Sequence, residues 1–229
     1  MTKENATAIV TGFSSGLGLS LTKKLLAQSW NVIGVSRNST ELDIPNSDHL
    51  HIVTGSVADQ EVVDKAFEIA DGLGGATLLI NSAGQGVFGE IGTYSAADIQ
   101  TVLEGNLAGL IIFSDRAVNH MTNGNSNIVN IMSTAAKKYR AAESAYTAAK
   151  WGAKAYTRTL RDAIKSGKMG IRVFEIYPCG MATGFWNKSI RPPTDGASFP
   201  EPNSIADAIL EAVFDEKPSY QQELTFERS

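Results

Sequence analysis

The chain is poor in the features that mark secreted and nucleic-acid-binding proteins. Its 229 residues include one cysteine, Cys179, so no internal disulfide can form, which suits a reducing cytoplasm. The 20 Lys and Arg residues are balanced by 24 Asp and Glu residues. The resulting formal net charge of −4 offers no basic surface for nucleic acid or anionic lipid.

Membrane and metal signals are missing as well. No apolar run approaches the ~20 residues of a membrane helix, and residues 1–5 are too polar to begin a signal peptide. The three histidines are scattered and show no metal-ligand spacing. We therefore expect a cytoplasmic protein with no metal site and with no nucleic-acid or membrane partner.

Short β-branched runs alternate with longer helical patterns along the whole chain. The predicted strands are Ala6–Thr11, Asn31–Ser36, Leu50–Thr54, Ala76–Asn81, Asn127–Met132, Ile171–Tyr177 and Glu223–Phe226. The predicted helices are Gly16–Gln28, Asp59–Asp71, Ala97–Met121, Ser144–Ser166 and Ser204–Phe214. Several strands are apolar almost throughout, as in a parallel sheet covered on both faces. The pattern predicts one doubly wound α/β domain over residues 1–229, with about seven parallel strands flanked by helices.

One long irregular stretch, Met181–Asn203, interrupts this alternation and contains four prolines. Such loops in compact domains are often lids. We expect it to close over a ligand, with Phe185 and Trp186 meeting the substrate.

The segment TGFSSGLG, residues 11–18, joins the first strand to the first helix. Free backbone N–H groups and a partial positive charge make a helix N-terminus a phosphate site. Gly12 would permit the tight turn, Gly16 would admit a pyrophosphate, and Gly18 would let the helix pack against the sheet. A merely flexible turn remains the alternative. A P-loop is disfavoured because no Lys-Ser or Lys-Thr follows the last glycine.

The end of the second strand carries Ser36 and Arg37 where a carboxylate would select NAD. A guanidinium suits the 2′-phosphate of NADP. The alternative is a solvated surface arginine.

Three later residues add chemistry to this dinucleotide-binding pattern. Ser133 follows a predicted strand, and Tyr146 and Lys150 lie four residues apart on one helix face. By itself such a pair is most often a solvated helix face. Its position after a cofactor loop and a strand-end serine favours a catalytic role.

Together these motifs resemble the short-chain dehydrogenase/reductase family, in one of its shorter, Rossmann-type members. TGFSSGLG is similar to the family's Thr-Gly-x-x-x-Gly-x-Gly loop, and NSAG (81–84) to its Asn-Asn-Ala-Gly turn. Asn106 in GNLAG, Ser133, Tyr146 and Lys150 match its catalytic set. The segment YPCGMATG (177–184) resembles its Pro-Gly segment, and the match runs from about residue 6 to residue 184.

The resemblance implies an NADP(H)-dependent oxidoreductase that interconverts a carbonyl and a secondary alcohol or hydroxy acid. Tyr146 would be the acid or base, Ser133 would orient the substrate oxygen, Lys150 would hold the nicotinamide ribose and lower the pKa of Tyr146, and Asn106 would hold a water linked to Lys150. The implied cofactor contacts are Gly12, Ser14, Ser15, Gly16, Leu17, Gly18, Ser36, Arg37, Val57, Asn81, Ala83, Gly84, Tyr146, Lys150, Pro178, Gly180 and Thr183.

The sequence departs from the family pattern at Ser82, at Ser56 and in its short C-terminus. These departures put an amide contact, the adenine contact and tetramer contacts in doubt. A non-catalytic dinucleotide-binding redox sensor or regulator is the alternative function, since such proteins can keep the glycine loop, although the complete catalytic set favours the enzyme. Val87 and Phe88 would line the substrate pocket. Lys137–Arg140 would be a solvated loop that could border it.

The resemblance further implies a homodimer or homotetramer. Pairing would use the predicted helices Ala97–Met121 and Ser144–Ser166. Small residues would allow the second helix to pack closely against its partner; they are Ala145, Ala148, Ala149, Gly152 and Ala153.

Overall fold

A sheet of seven parallel strands forms the centre of the protein. The computed structural model describes residues 6–38, 42–44, 47–121, 124–185, 199–215 and 222–227. In chain order the strands are β1 (Thr7–Thr11), β2 (Asn31–Ser36), β3 (Leu50–Thr54), β4 (Ala76–Asn81), β5 (Ser126–Ile131), β6 (Ile171–Tyr177) and β7 (Glu223–Thr225). Their spatial order is β3-β2-β1-β4-β5-β6-β7. The winding reverses between β1 and β4, and ligands of such sheets bind at this switch point.

Helices cover both faces of the sheet. They are α1 (Gly16–Ala27), α2 (Gln60–Gly72), α3 (Ala96–Leu103), α4 (Gly109–His120), α5 (Ser144–Gly167) and α6 (Pro202–Phe214). Alternate residues of one strand serve opposite faces: Val10 packs with α1 and α6, while Ile9 packs with α2, α4 and α5. The doubly wound α/β prediction is confirmed. The prediction of a single domain over residues 1–229 stays a prediction.

The predicted helix Ala97–Met121 is interrupted by a π-helical turn at Glu104–Ala108. Such turns are rare and are frequently found at functional sites. The whole helical stretch Ala96–His120 is long and apolar enough to cross a membrane, with a mean hydropathy of 1.2. One such stretch is a weak membrane signal that rests on length and composition alone, and its α4 part packs on β4 and β5.

The expected role of the small α5 residues is partly wrong. Ala149 and Ala153 are fully buried within the chain itself, and a Cβ at Gly152 would lie 3.1 Å from Leu107. Ala148 is exposed and Ala145 is half-buried. Most of the stripe therefore lets α5 approach its own core and is not open to a second subunit.

Only the ends of Met181–Asn203 belong to the described residues. The two ends meet, because the Ala182 N–H donates to the Pro200 carbonyl oxygen at 3.3 Å. Trp186 and most of the expected lid lie outside the described residues.

Candidate active site

The turn after β1 forms the floor of the site. Gly12 has a φ of +69°, and a Cβ there would lie 2.8 Å from the Ala83 backbone. A Cβ at Gly18 would lie 2.2 Å from the Gly12 carbonyl oxygen. The first turn of α1 thus packs on the glycine loop. Gly18 allows this contact with the loop, whereas the sequence predicted that it allows contact with the sheet. Gly16, with a φ of +52°, faces Thr183, whose methyl carbon would be 3.3 Å from an added Cβ.

Thr11 joins this loop to the turn after β4. Its hydroxyl oxygen accepts the N–H groups of Ser82 and Ala83, each at 3.1 Å. Thr11 belongs to the loop motif TGFSSGLG, but its hydrogen bond to Ser82 could not be predicted, because the two residues are 71 positions apart in the sequence.

Two cavities of about 470 and 220 Å³ meet at this turn. Both are bordered by Gly12, Ser15, Gly84 and Gln85, so they form one groove across the carboxyl edge of the sheet. The larger cavity collects most of the predicted residues; these are Gly16, Leu17, Gly18, Asn106, Ser133, Tyr146, Lys150, Pro178, Gly180 and Thr183. The smaller cavity is lined by Ser14, Ser36, Arg37, Val57 and Ala83.

Asn81 is an exception among the predicted cofactor contacts. Its side-chain amide donates to the Ser114 hydroxyl at 3.0 Å and to the side-chain oxygen of Asn130 at 2.8 Å. Asn130 in turn donates to Thr157 at 2.9 Å. Because the side chain is 3% exposed and turns toward α4 and α5, it binds the sheet to its helices and does not line either described cavity.

Tyr146 and Lys150 project from α5 beside Ser133. The Lys150 ammonium group lies 5.7 Å from the centre of the Tyr146 ring and donates to the Ile131 carbonyl oxygen at 3.0 Å. Ser133 begins the short 3₁₀ turn Thr134–Ala136 and accepts the Ala135 N–H at 3.1 Å. The turn places the serine hydroxyl near the tyrosine, where it lowers the pKa of the Tyr146 phenol.

Burial controls the ionisation of both α5 residues. It raises the pKa of Tyr146 above the ordinary value; a hydrogen bond from Ser133 lowers this pKa, and the charge of Glu143 raises it further. Burial lowers the pKa of Lys150 to about 8. The expected lowering of the tyrosine pKa is not seen in the chain alone, since the loss of solvation outweighs the other effects. The phenol therefore stays protonated, which is the state that a proton donor requires.

Asn106 occupies the π-helical turn between α3 and α4. Its amide donates to the carbonyl oxygens of Gln85 at 2.8 Å and Val102 at 2.9 Å. Its side-chain oxygen is buried without a hydrogen-bond partner among the described residues. A Cβ at Gly84 would lie 2.6 Å from this oxygen and 3.7 Å from the Lys150 nitrogen. An unsatisfied acceptor beside an ammonium group is a suitable place for a bound water.

Arg37 joins the two walls of the smaller cavity. Its guanidinium donates to the Gln85 side-chain oxygen at 2.8 Å, while the Ser36 hydroxyl donates to the Asn38 carbonyl at 2.6 Å. Glu104 from the π-helical turn also lines this cavity. Sequence reasoning missed Gln85 and Glu104, because a glutamine 48 residues from Arg37 has no local pattern.

Two aromatic rings contact the catalytic tyrosine candidate. Phe88 and Phe185 meet Tyr146 edge-on at centroid distances of 5.6 and 5.7 Å. Phe185 lines the larger cavity. Phe88 is 5% exposed and supports the ring of Tyr146 from behind, so the expectation that Phe88 and Val87 line the pocket is wrong for the described cavity. The cavity wall is instead continued by Arg140 and Glu143.

The groove fits a dinucleotide. Side chains at Gly12 and Gly18 would collide with backbone atoms, so these glycines keep the loop close to the first turn of α1. That turn supplies the backbone donors that bind a pyrophosphate. The unpartnered Asn106 oxygen and the buried Lys150 ammonium group lie at the end of the groove where a polar ring could be held.

Comparison with known proteins agrees with this geometry. The family model described as short chain dehydrogenase matches residues 6–193. The chain is 30% identical over 213 residues to carbonyl reductase family member 4 of Danio rerio, and the match covers 89% of each chain.

Solved structures share the fold. A short chain dehydrogenase from Burkholderia cenocepacia in complex with NADP has a TM-score of 0.84 at 24% identity and covers 99% of this chain and 98% of its own. A 3-ketoacyl-(acyl-carrier-protein) reductase from Brucella melitensis complexed with NADH has a TM-score of 0.84 at 18% identity, with the same coverage. The fold thus accommodates both dinucleotides, and the choice between them depends on side chains.

Proposed function

Because the chain belongs to the short chain dehydrogenase family, we propose that it is an NADP(H)-dependent oxidoreductase that interconverts a carbonyl and a secondary alcohol or hydroxy acid. The family membership supports oxidoreductase activity on a small molecule with a nicotinamide dinucleotide. The observation that carries the proposal is the arrangement of Ser133, Tyr146, Lys150 and Asn106 around the cavity that adjoins the glycine loop.

In this proposal the protein supplies position and proton transfer, while the bound nicotinamide supplies or accepts the hydride. Ser133 and Tyr146 direct their hydroxyl groups to one substrate oxygen. Tyr146 donates its proton to that oxygen during reduction, and burial keeps the phenol protonated beforehand. A positioned acid of this kind is worth ~10²–10⁴ in rate.

Lys150 has two roles in the proposal. It holds the ribose hydroxyls of the cofactor, and its charge favours the phenolate that remains when Tyr146 has released its proton. The side-chain oxygen of Asn106 holds a water beside Lys150. Through this water the tyrosine regains its proton from solvent.

Arg37 supports NADP over NAD. It is the cationic residue among those that line the smaller cavity, and Ser36 adds a hydroxyl without negative charge. A charge-assisted hydrogen bond to a 2′-phosphate is worth ~1.5–3 kcal/mol, which corresponds to ~10–100-fold in affinity. Glu104 on the same cavity repels a phosphate, so we place the preference near ~10-fold.

A redox sensor without chemistry is the less favoured alternative. Such a protein could lose the proton donor, whereas this chain keeps Tyr146 in contact with Ser133 and close to Lys150. Burial destabilises the charged form of Lys150. An enzyme that uses this charge to bind the cofactor and stabilise the phenolate explains why such a residue is kept.

We also propose a homodimer or homotetramer in the cytoplasm. Ile99 and Leu103 on α3 are 41% and 38% exposed, which is high for apolar side chains of this size. Burying them against the same surface of a second copy would give an isologous interface. Sedimentation velocity of the wild type and of Leu103→Glu tests this: the variant should be monomeric.

The test of the function is a panel of aldehydes, ketones and hydroxy acids, assayed with NADPH and with NADP⁺. Turnover of at least one carbonyl with NADPH is expected. Tight NADPH binding without turnover across the whole panel would favour the sensor.

A further inference from the structure

We propose that the substrate carries an anionic group such as a carboxylate, and that Arg140 binds this group on the wall of the larger cavity. This inference rests on the proposed carbonyl–alcohol chemistry and adds the class of substrate to it. Arg140 belongs to the charged loop Lys137–Arg140, for which the sequence favoured a solvated surface.

The backbone of Arg140 is fixed by a hydrogen-bonded turn. The Glu143 N–H donates to the Arg140 carbonyl oxygen at 3.1 Å, and α5 begins at the next residue, Ser144. The turn is tied to a second loop, because the Gly89 N–H donates to the Ala142 carbonyl at 3.0 Å. These hydrogen bonds fix the backbone from which the Arg140 side chain extends along the cavity wall.

The guanidinium of Arg140 has binding capacity left over. Its Nη1 donates to the Glu143 carboxylate at 3.1 Å. A guanidinium carries five N–H donors, and this contact uses one of them. The Arg140 side chain is 45% exposed, whereas Glu143 is 14% exposed, so the cation is the accessible member of the pair. The remaining N–H donors of Arg140 can therefore meet an incoming anion while Nη1 keeps its bond to Glu143.

The other charges near the cavity have partners. Among the described lining residues, Arg140, Glu143 and Lys150 are charged. Lys150 is buried against the Ile131 carbonyl and belongs to the catalytic set. Lys137, three residues before Arg140, binds Glu223 and Thr225 on β7. Arg140 is thus the cation that a substrate anion can reach.

The lining of the cavity combines apolar side chains with the polar groups of the reaction centre. Phe185, Met132 and Ile131 give it an apolar wall, while Tyr146 and Ser133 mark the position of the reacting oxygen. Glu143 influences the ionisation of Tyr146, so the Arg140–Glu143 pair lies within electrostatic range of the reaction centre. A substrate bound in this cavity would place its carbonyl at Tyr146 and its anionic group at Arg140.

The experiment uses three aldehydes of similar shape: 4-carboxybenzaldehyde, its neutral methyl ester, and 4-trimethylammoniobenzaldehyde. Dissociation constants are measured by calorimetry with the full-length protein saturated with NADP⁺, and turnover is measured separately with NADPH. The anion should bind about tenfold more tightly than the ester, equivalent to about 1.4 kcal/mol, and the cation should bind most weakly.

Arg140→Gln should remove this order, so that the anion and the ester bind equally. Lys138→Ala is the matched control, because Lys138 is 60% exposed on the same loop and pairs with Glu227 at 3.9 Å. Glu143→Gln should tighten the anion further, since a repelling charge is removed while an acceptor for Arg140 is kept.

Binding and turnover separate the two claims. Equal binding of the three probes, preference for the cation, or an unchanged order in Arg140→Gln overturns the substrate class even if all three aldehydes are reduced. The expected binding order without reduction of any probe supports the anion site and counts against the proposed catalytic function.

Discussion

Replacing Lys150 with methionine should stabilise the protein while removing its activity. The Lys150 side chain is 4% exposed, and its ammonium group donates to the Ile131 carbonyl oxygen at 3.0 Å. Burial lowers its pKa from 10.5 to about 8. A lysine with a lowered pKa binds its proton less tightly in the folded protein than in the unfolded chain. Below pH 8 the charged side chain therefore opposes folding, and this penalty disappears as the pH rises toward the unfolded pKa.

The size of the effect follows from the two pKa values. At pH 7 their difference corresponds to about 3 kcal/mol of destabilisation. Methionine avoids this penalty but loses the hydrogen bond to Ile131, which offsets about 1 kcal/mol. The net gain of about 2 kcal/mol should raise Tm by roughly 4–8 °C for a chain of this length. At pH 9.5 the penalty falls to about 1.4 kcal/mol, so the two Tm values should differ by about 1 °C.

Differential scanning calorimetry without added cofactor, at both pH values and equal ionic strength, measures these shifts. Lys154→Met, one turn further along α5 and half-buried, is the control for the loss of a lysine from this helix. A lower Tm for Lys150→Met at pH 7 would refute the reasoning. So would a stability difference that stays constant between the two pH values.

Three further changes test the glycine loop, the proposed phosphate contact of Arg37 and the serine. Arg37→Ala should weaken NADPH about tenfold and leave NADH unchanged, whereas Arg37→Lys should keep part of the preference; equal affinities of the wild type for both dinucleotides contradict the assignment. Gly18→Ala should cost more than about 2 kcal/mol in urea unfolding, because the new Cβ would lie 2.2 Å from the Gly12 carbonyl oxygen. Gly72→Ala is its control, because a Cβ there meets nothing within 4 Å, and equal midpoints would disprove the close contact. Ser133→Ala removes the interaction that lowers the pKa of Tyr146, so the increase in the rate of alcohol oxidation with pH should shift to higher pH. An unchanged pH profile would contradict an influence of Ser133 on the ionisation of Tyr146.

The sequence predicts the sheet better than the helices that line the site. β2, β3, β4 and β6 begin and end at the predicted residues. For β2, β4 and β6 the reason is that apolar runs bounded by glycine or polar residues define buried parallel strands. β3 lies at the edge of the sheet, with Ile52 43% exposed. The π-helical turn at Glu104–Ala108 could not be predicted. It covers a single turn, which is too short to be recognised in the apolar periodicity on which the helix prediction relies.

In the candidate site, contacts between residues close in sequence could be predicted, whereas contacts between distant residues could not. Tyr146 and Lys150 are one helical turn apart, so their spacing alone places them together. The resemblance of NSAG to the family's turn implied that Asn81 is a cofactor contact. Its partner Asn130 lies 49 residues further along the chain, and only the folded structure brings the two together. The hydrogen bond between Arg37 and Gln85 could not be predicted either, because these residues are 48 positions apart in the sequence.

The central claim is that the Tyr146 hydroxyl transfers the proton during carbonyl reduction. Turnover of Tyr146→Phe with NADPH and the best carbonyl of the panel, at saturating cofactor, tests it most directly. We predict a fall of ~10²–10⁴, with an unchanged dissociation constant for NADPH and an unchanged Tm. Tyr156→Phe on the same helix, whose hydroxyl binds Asp115 at 2.7 Å, should keep its turnover. Near-normal turnover in Tyr146→Phe would contradict the account.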